Sequence, residues 1–174
     1  MAGFGDQTDT VLRAMPGRAP DQIGYVVRDL EEGVRQVGAI FGVRRWVGWR
    51  YTADYLPQRR FRGAPGNFES QGVVAEFGPS LEVIAPMSGQ SVFTEFLDRC
   101  GPGLHHVGYF VQSVDAERAR LEALGLAEVQ YGGGHGEDGD GKISFFEVLA
   151  GIPTYIELIE PPKRRRPQHF EILL

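Results

Sequence analysis

Apolar runs and helical periodicities follow one another along the chain in an order that occurs twice. The first copy opens with a short β-branched and aromatic run at Gln22 to Val27, typical of a buried strand. A helix follows, for which Asp29 is the predicted N-cap and Gly42 the stop signal. Further strands, separated by Gly- and Pro-rich turns, are predicted at 44–52, 71–77 and 81–85. Residues 21–86 therefore form a predicted β-α-β-β-β module.

The second copy begins after a connector, residues 87–103, which contains a short amphipathic helix at 92–97. Its order is again strand, helix and three strands, predicted at 104–111, 115–124, 127–131, 143–149 and 154–159. This second module spans residues 104–162. The aperiodic residues 1–20 are a predicted flexible arm and residues 163–174 a predicted charged tail.

The two modules also align in sequence. The run QIGYVV, which begins at Gln22, matches HVGYFV, which begins at His106, in its Gly, its Tyr and its last Val. The closing run LEVIAP, which contains Glu82, matches IELIEP, which contains Glu157. Two matching pairs indicate a duplicated unit. The predicted fold class is α+β, with two tandem βαβββ modules in one domain, residues 21–162.

The aligned runs carry four polar residues among apolar neighbours. Gln22 and His106 stand on the first strand of each module, and Glu82 and Glu157 on the last strand. If the first and last strands of each module are neighbours, the four side chains converge on one cation. This set of oxygen and nitrogen donors suits one divalent ion of Zn, Ni, Co, Mn or Fe. The alternative is that each Glu faces solvent from an alternating strand and that His106 is a core histidine.

Composition limits the classes of function. The 174 residues carry a net charge of −5, which argues against a nucleic-acid partner. We expect no membrane partner, because no apolar run approaches the roughly 20 residues that span a bilayer. The single cysteine, Cys100, excludes an intrachain disulfide framework and favours a cytoplasmic location. A small molecule is the expected partner.

These motifs resemble the vicinal oxygen chelate superfamily, which includes glyoxalase I, bleomycin resistance proteins and dioxygenases. The run GPGLHHVGYFVQSVDA and the two closing runs are most similar to methylmalonyl-CoA epimerase. The resemblance implies a cupped, partly open mixed sheet around a metal, and a homodimer. Its ligand positions fall on Gln22, Glu82, His106 and Glu157, an order similar to that of zinc-type glyoxalase I. The glutathione contacts of that enzyme are absent.

The resemblance implies a metal-dependent isomerase, epimerase or lyase that stabilises an enolate next to a carbonyl. The substrate would be a CoA thioester or another anionic compound. Glu157 would take the proton from carbon, with Glu82 as its partner on the opposite face. One base gives isomerisation, and two give epimerisation.

Candidate substrate-binding residues lie outside this quartet. Aromatic and basic residues are concentrated between residues 44 and 62, where they either bind an anionic group or form a solvated edge. A Glu near the third strand and a His in a glycine-rich loop complete the candidates. The predicted substrate contacts are Trp46, Trp49, Arg50, Tyr51, Glu69 and His135. His105 is expected to face away from His106 by strand alternation, in a structural role.

Two other functions fit the same fold. One is a non-catalytic protein that binds an antibiotic or aromatic compound in the cleft. The other is an extradiol-type dioxygenase, which Gln22 disfavours because that chemistry needs a second histidine in its place.

Overall fold

The computed structural model describes residues 9, 12–15, 17–147 and 152–174. Most of the predicted arm, at 1–8, 10, 11 and 16, and the end of the predicted strand 143–149 lie outside the described residues. The elements, in chain order, are β1 (Gln22–Val26), α1 (Leu30–Phe41), β2 (Arg45–Tyr51), β3 (Gln58–Phe61), β4 (Ala64–Pro65), β5 (Glu69–Ala75), β6 (Ser80–Ser88), α2 (Val92–Cys100), β7 (Gly103–Phe110), α3 (Val114–Ala123), β8 (Glu128–Gly133), β9 (Lys142–Glu147), β10 (Tyr155–Glu160) and β11 (Phe170–Leu173). None of the described helices is long and apolar enough to cross a membrane.

One mixed sheet holds both modules. Its strand order is β11-β2-β5-β6-β1-β7-β10-β9-β8-β3-β4. In each module the first strand pairs in parallel with the last, as β1 with β6 and β7 with β10. The modules meet where β1 and β7 pair antiparallel. The predicted α+β fold of two tandem βαβββ modules is thus confirmed.

Helices α1 and α3 cover the outer face of the sheet. The side chain of Asp29 caps α1 by accepting a hydrogen bond from the Glu32 amide at 2.9 Å, and Gly42 ends the helix with φ 71°. Leu30, Val34 and Val37 of α1 pack against module one, in a cluster that also holds Trp46. Helix α3 occupies the equivalent place on module two, where Leu121 is fully buried.

Helix α2, in the connector, packs on the opposite, inner face. Its side chains Phe93 and Phe96 share a cluster with Val26, Ile84 and residues of β9 and β10. Because Ile84 lies two residues beyond Glu82 on β6, this cluster is on the same face as the candidate ligands. The connector therefore closes one end of the inner face.

The loop predicted between β2 and β5 contains the hairpin β3–β4, which pairs with β8 of module two. Ion pairs fix this crossing: Arg60 lies 2.9 Å from Glu128, and Arg62 also pairs with Glu95. Of the arginines in the predicted basic concentration, Arg60 thus joins the two modules and Arg62 joins module one to helix α2 of the connector. The local sequence does not predict this hairpin, because its pairing partner β8 lies about 70 residues further along the chain.

The C-terminal residues are a second departure from the sequence prediction. Rather than a free tail, they form β11, which pairs antiparallel with β2 at the edge of module one. The ring of Phe170 packs over Gly48, where any Cβ would overlap it. Phe170 and Ile172 extend the α1 cluster.

The docking of β11 predicts a difference between two substitutions on this strand. Phe170→Ala should lower the free energy of unfolding by about 2 kcal/mol, because it removes a packed ring. Leu173→Ala should have little effect, since Leu173 is 71% exposed. Urea denaturation measures both, and equal values for the two variants would contradict the packing.

Candidate metal centre

The four candidate ligands lie in two adjacent rows across the centre of the sheet. In the first row Gly24 of β1 is flanked by Glu82 of β6 and His106 of β7. In the second row Gly108 of β7 is flanked by Gln22 of β1 and Glu157 of β10. Each row thus reads ligand, glycine, ligand. The two rows are two residues apart along the strands, so all four side chains are on one face.

The glycines give the ligands room. A Cβ added at Gly24 would overlap the imidazole ring of His106. A Cβ at Gly108 would lie 3.0 Å from Cβ of Gln22 and 3.2 Å from its Oε1. The glycine shared by the two aligned sequence runs therefore has a physical cause, since each module leaves space for the other module's ligand.

Three of the four ligands approach closely. Nε2 of His106 lies 3.1 Å from Oε2 of Glu82 and 3.3 Å from Oε2 of Glu157. One donor atom from each of the three lies within 4.8 Å of the other two. Gln22, Glu82, His106 and Glu157 are all buried. Neither Nε2 of His106 nor Oε2 of Glu157 has a hydrogen-bond partner, so the atoms surround a common point without bonding one another.

The charge of this cluster could be balanced by a cation. Burial and the neighbouring charge of Glu82 raise the pKa of Glu157 well above its usual range. Neither carboxylate pairs with a lysine or arginine of the described residues. Two buried carboxylates beside an imidazole whose Nε2 has no hydrogen-bond partner are an unfavourable arrangement unless a cation joins them or a proton neutralises one of them. The donor set fits Zn, Ni, Co, Mn or Fe(II).

His105 lies against His106, not on the opposite face as alternation predicts. Across β1 and β7, Gly24 pairs with His106 but Tyr25 pairs with Leu104, which leaves His105 as the extra residue of a β-bulge. The bulge brings Nδ1 of His105 to 2.9 Å from Nδ1 of His106. Burial and the neighbouring imidazole lower the pKa of His105 well below its usual range, which keeps its ring neutral. Its Nδ1 can then accept a hydrogen bond from the Nδ1–H of His106, which leaves Nε2 of His106 free for a cation.

The quartet faces a cavity of about 1160 Å³, which Gln22, Glu82 and Glu157 help to line. Because strands of both modules contribute to its walls, the sheet is cupped. Among the predicted substrate contacts, Trp49, Tyr51 and His135 also line this cavity. Burial is the main cause that lowers the pKa of His135, to about 4, so its ring is uncharged at neutral pH.

The structure places the other three predicted contacts away from the cavity lining. Trp46 and Arg50 are an odd number of residues from Trp49 along β2, so their side chains point to the outer face of the sheet. Trp46 packs in the α1 cluster, and Arg50 lies over the ring of Phe170. Glu69 is used within module one, where its Oε1 accepts a hydrogen bond from the Ala53 amide at 3.1 Å.

Gln130 and Arg165 are among the lining residues that the sequence analysis did not single out. Gln130 is buried, its Oε1 accepts a hydrogen bond from the Val92 amide at 3.0 Å, and its Nε2 has no hydrogen-bond partner. A polar residue between Val129 and Tyr131 is the signal that could have found it, as for the glutamates. Arg165 also lines the cavity, and a run of consecutive basic residues gives no means of distinguishing it.

The row geometry predicts a sharp difference between two glycines. Gly24→Ala should lower the free energy of unfolding by about 1–3 kcal/mol, because the new methyl group must displace the His106 ring or the backbone. Gly103→Ala is the matched control, since a Cβ there meets no atom within 4 Å. Urea denaturation that found Gly24→Ala as stable as Gly103→Ala would contradict the row arrangement.

Comparison with known proteins agrees with this architecture. A variant of the Streptomyces coelicolor methylmalonyl-CoA epimerase in complex with 2-nitronate-propionyl-CoA has a TM-score of 0.52 and 18% identity, covering 86% of this chain and 98% of its own. The methylmalonyl-CoA epimerase from Mycobacterium tuberculosis has a TM-score of 0.51 and 23% identity, covering 82% and 87%. A hypothetical protein from Bacillus halodurans has a TM-score of 0.51 and 15% identity, covering 86% and 98%. At these identities the likeness is one of fold.

Sequence comparison gives the family. No curated protein matches the chain significantly. The family profile of the glyoxalase/bleomycin resistance protein/dioxygenase superfamily matches residues 21–145, which include β1 to β8 and three of the four candidate ligands. The chain therefore belongs to the glyoxalase/bleomycin resistance protein/dioxygenase superfamily.

Proposed function

We propose that this protein is a metal-dependent isomerase, epimerase or lyase that stabilises an enolate next to a substrate carbonyl. The observation that carries the proposal is the buried pair of atoms without hydrogen-bond partners, Nε2 of His106 and Oε2 of Glu157, beside Glu82 in the wall of the cavity. Gln22, Glu82, His106 and Glu157 would hold the metal. A divalent cation held there would act as a Lewis acid for the negative charge that develops on the carbonyl oxygen.

Glu157 is our candidate for the group that moves the proton. Its Oε2 accepts no hydrogen bond, and Glu157 lines the cavity. When Glu157 takes the proton, the C–H electron pair is delocalised onto the carbonyl oxygen as the enolate. Return of a proton to the opposite face of the same carbon gives the epimer, and return to a neighbouring carbon gives an isomer. Glu82, on the other side of His106, is our candidate for the second proton donor.

The cavity around the quartet is suited to an organic substrate. Ile84, Phe93 and Phe145 line it beside the ligands, and Trp49 and Tyr51 line it from β2. Apolar walls exclude water from the reacting carbon and strengthen the electrostatic interactions that stabilise the enolate. The Streptomyces enzyme of the same fold is in complex with 2-nitronate-propionyl-CoA, so a CoA thioester is the first substrate class we propose to test.

The cavity favours one alternative as well. Its size and its aromatic lining by Trp49, Tyr51, Tyr55 and Phe68 also fit a protein that binds an antibiotic or aromatic compound without reaction. Such a function needs no metal, and it gives the buried carboxylate pair no role. Metal content distinguishes the two functions.

Metal analysis of protein purified without added metal should find about one divalent ion per chain. His106→Ala should lose it, because this variant removes the only nitrogen donor of the quartet. His169→Ala should retain it, since His169 is exposed and its Nδ1 accepts a hydrogen bond from the amide of Arg50. Absence of metal from wild-type protein under every loading condition would refute the enzyme proposal and favour the binding protein.

Proton transfer has its own test. In deuterated water the metal-loaded protein should introduce deuterium at the carbon beside the carbonyl of methylmalonyl-CoA or another thioester it accepts. Glu157→Gln should slow this exchange by a factor of about 100 or more while metal content is retained. Glu147→Gln, on the exposed part of β9, is the control that should exchange at the wild-type rate. Undiminished exchange in Glu157→Gln would remove Glu157 as the base.

A further inference from the structure

We propose that Arg165 binds an anionic group of the substrate, a carboxylate or a phosphate, at the rim of the cavity. This group is distinct from the carbonyl at the proposed metal centre. This inference rests on the proposed function and narrows its substrate class to acyl compounds that carry such a group. It concerns a residue outside the two modules, in the segment that the sequence analysis took for a charged tail.

The backbone around Arg165 is fixed from both modules. On the side of module two, Arg165 forms a bridge with Gly136, and the carbonyl of Arg164 accepts a hydrogen bond from the Glu137 amide at 3.0 Å. On the side of module one, the carbonyl of Arg166 accepts a hydrogen bond from Nε1 of Trp49 at 3.3 Å. Residues 164–166 therefore cross between the modules, and we call this segment the strap. Beyond it, β11 anchors the chain on β2.

The three consecutive arginines of the strap have different partners. Arg164 pairs with Asp138 and with Glu137. Arg166 donates hydrogen bonds to the carbonyls of Gly136, Gly134 and Asp54, and its guanidinium lies 5.3 Å from the ring centroid of Tyr55. Arg165 lines the cavity and forms no ion pair with the described residues. Two arginines hold the strap in place, and the third is left for a ligand.

The charge of Arg165 acts on the interior of the cavity. It opposes the rise in the pKa of the Tyr51 and Tyr55 hydroxyls that burial causes. The pKa of Tyr51 is also raised by the charges of Glu82 and Glu157. Tyr51 and Arg165 also line the same cavity as Glu82 and Glu157, so one molecule bound in this cavity can reach from the candidate ligands to Arg165.

The remaining charges of the lining single out Arg165 as the anion-binding group. Of its carboxylates, Glu82 and Glu157 belong to the proposed metal centre, Asp21 pairs with Arg18, and Glu76 is a negative group that would not bind an anion. His135 is uncharged at neutral pH. The other lining arginine, Arg45, lies 2.7 Å from Glu171 and is already paired. A guanidinium offers a planar pair of N–H donors that matches a carboxylate or phosphate. A substrate that reaches from the metal centre to the rim would place such a group on Arg165.

The test uses metal-loaded protein and metal-chelating hydroxamates. A series of dicarboxylic monohydroxamates of increasing chain length is compared with the matching methyl esters by titration calorimetry. At the best length, wild-type protein should bind the free acid about tenfold more tightly than the ester, because a charge-assisted hydrogen bond is gained. Arg165→Gln should bind acid and ester equally and keep the wild-type affinity for the ester. Lys163→Gln, in the same basic run but exposed and outside the cavity lining, should retain the tenfold preference.

The outcomes separate this inference from the proposed function. If acid and ester bind the metal-loaded protein equally at every length, or if Arg165→Gln keeps the preference, Arg165 has no role and the metal centre stands. If no hydroxamate binds the metal-loaded protein, the metal has no coordination position open to a substrate, and the proposed enzyme function and the inference fall together. Hydroxamates with a phosphonate in place of the carboxylate identify the preferred anion, and a preference for either one that depends on Arg165 supports the proposal.

Discussion

The antiparallel pairing of β1 with β7 determines the candidate site. Its register sets Gly24 opposite His106 and Gly108 opposite Gln22, and the parallel neighbours β6 and β10 then bring in Glu82 and Glu157. A slip of one residue would turn a ligand to the outer face of the sheet. Both glycines are needed at this pairing because the ring of His106 and the side chain of Gln22 lie over them. Packing and chemistry thus impose the same register.

The pairing of β1 with β7 also explains which elements and site residues the sequence alone could predict. Strands and helices of the two modules follow from local periodicity, and the internal repeat identified Gln22, Glu82, His106 and Glu157 as equivalent positions. The bulge at His105 could not be foreseen, because alternation predicts the opposite face and only pairing with β1 reveals the extra residue. The hairpin β3–β4 and strand β11 were missed for a related reason. Each pairs with the edge of a strand that is distant in sequence, β8 for the hairpin and β2 for β11.

The hairpin β3–β4, the strap and β11 are not part of the repeat, and they give the two halves of the cleft different surroundings. Arg60 ties the hairpin to module two and Arg62 ties it to the connector helix α2, which accounts for part of the basic concentration in the sequence. The strap and β11 return the end of the chain to β2 and set Arg165 at the rim. Duplication therefore accounts for the candidate metal centre, whereas segments outside the repeat shape the cavity in which a substrate would lie.

The central claim is that the four side chains bind one metal ion. A crystal structure of the protein grown with Co²⁺, with anomalous diffraction data at the cobalt absorption edge, tests it most directly. The account predicts one strong anomalous peak in the cleft, about 2.0–2.2 Å from Nε2 of His106 and from oxygens of Gln22, Glu82 and Glu157. A structure with no peak at this point, and with His106 hydrogen-bonded to a protonated Glu157, would contradict it.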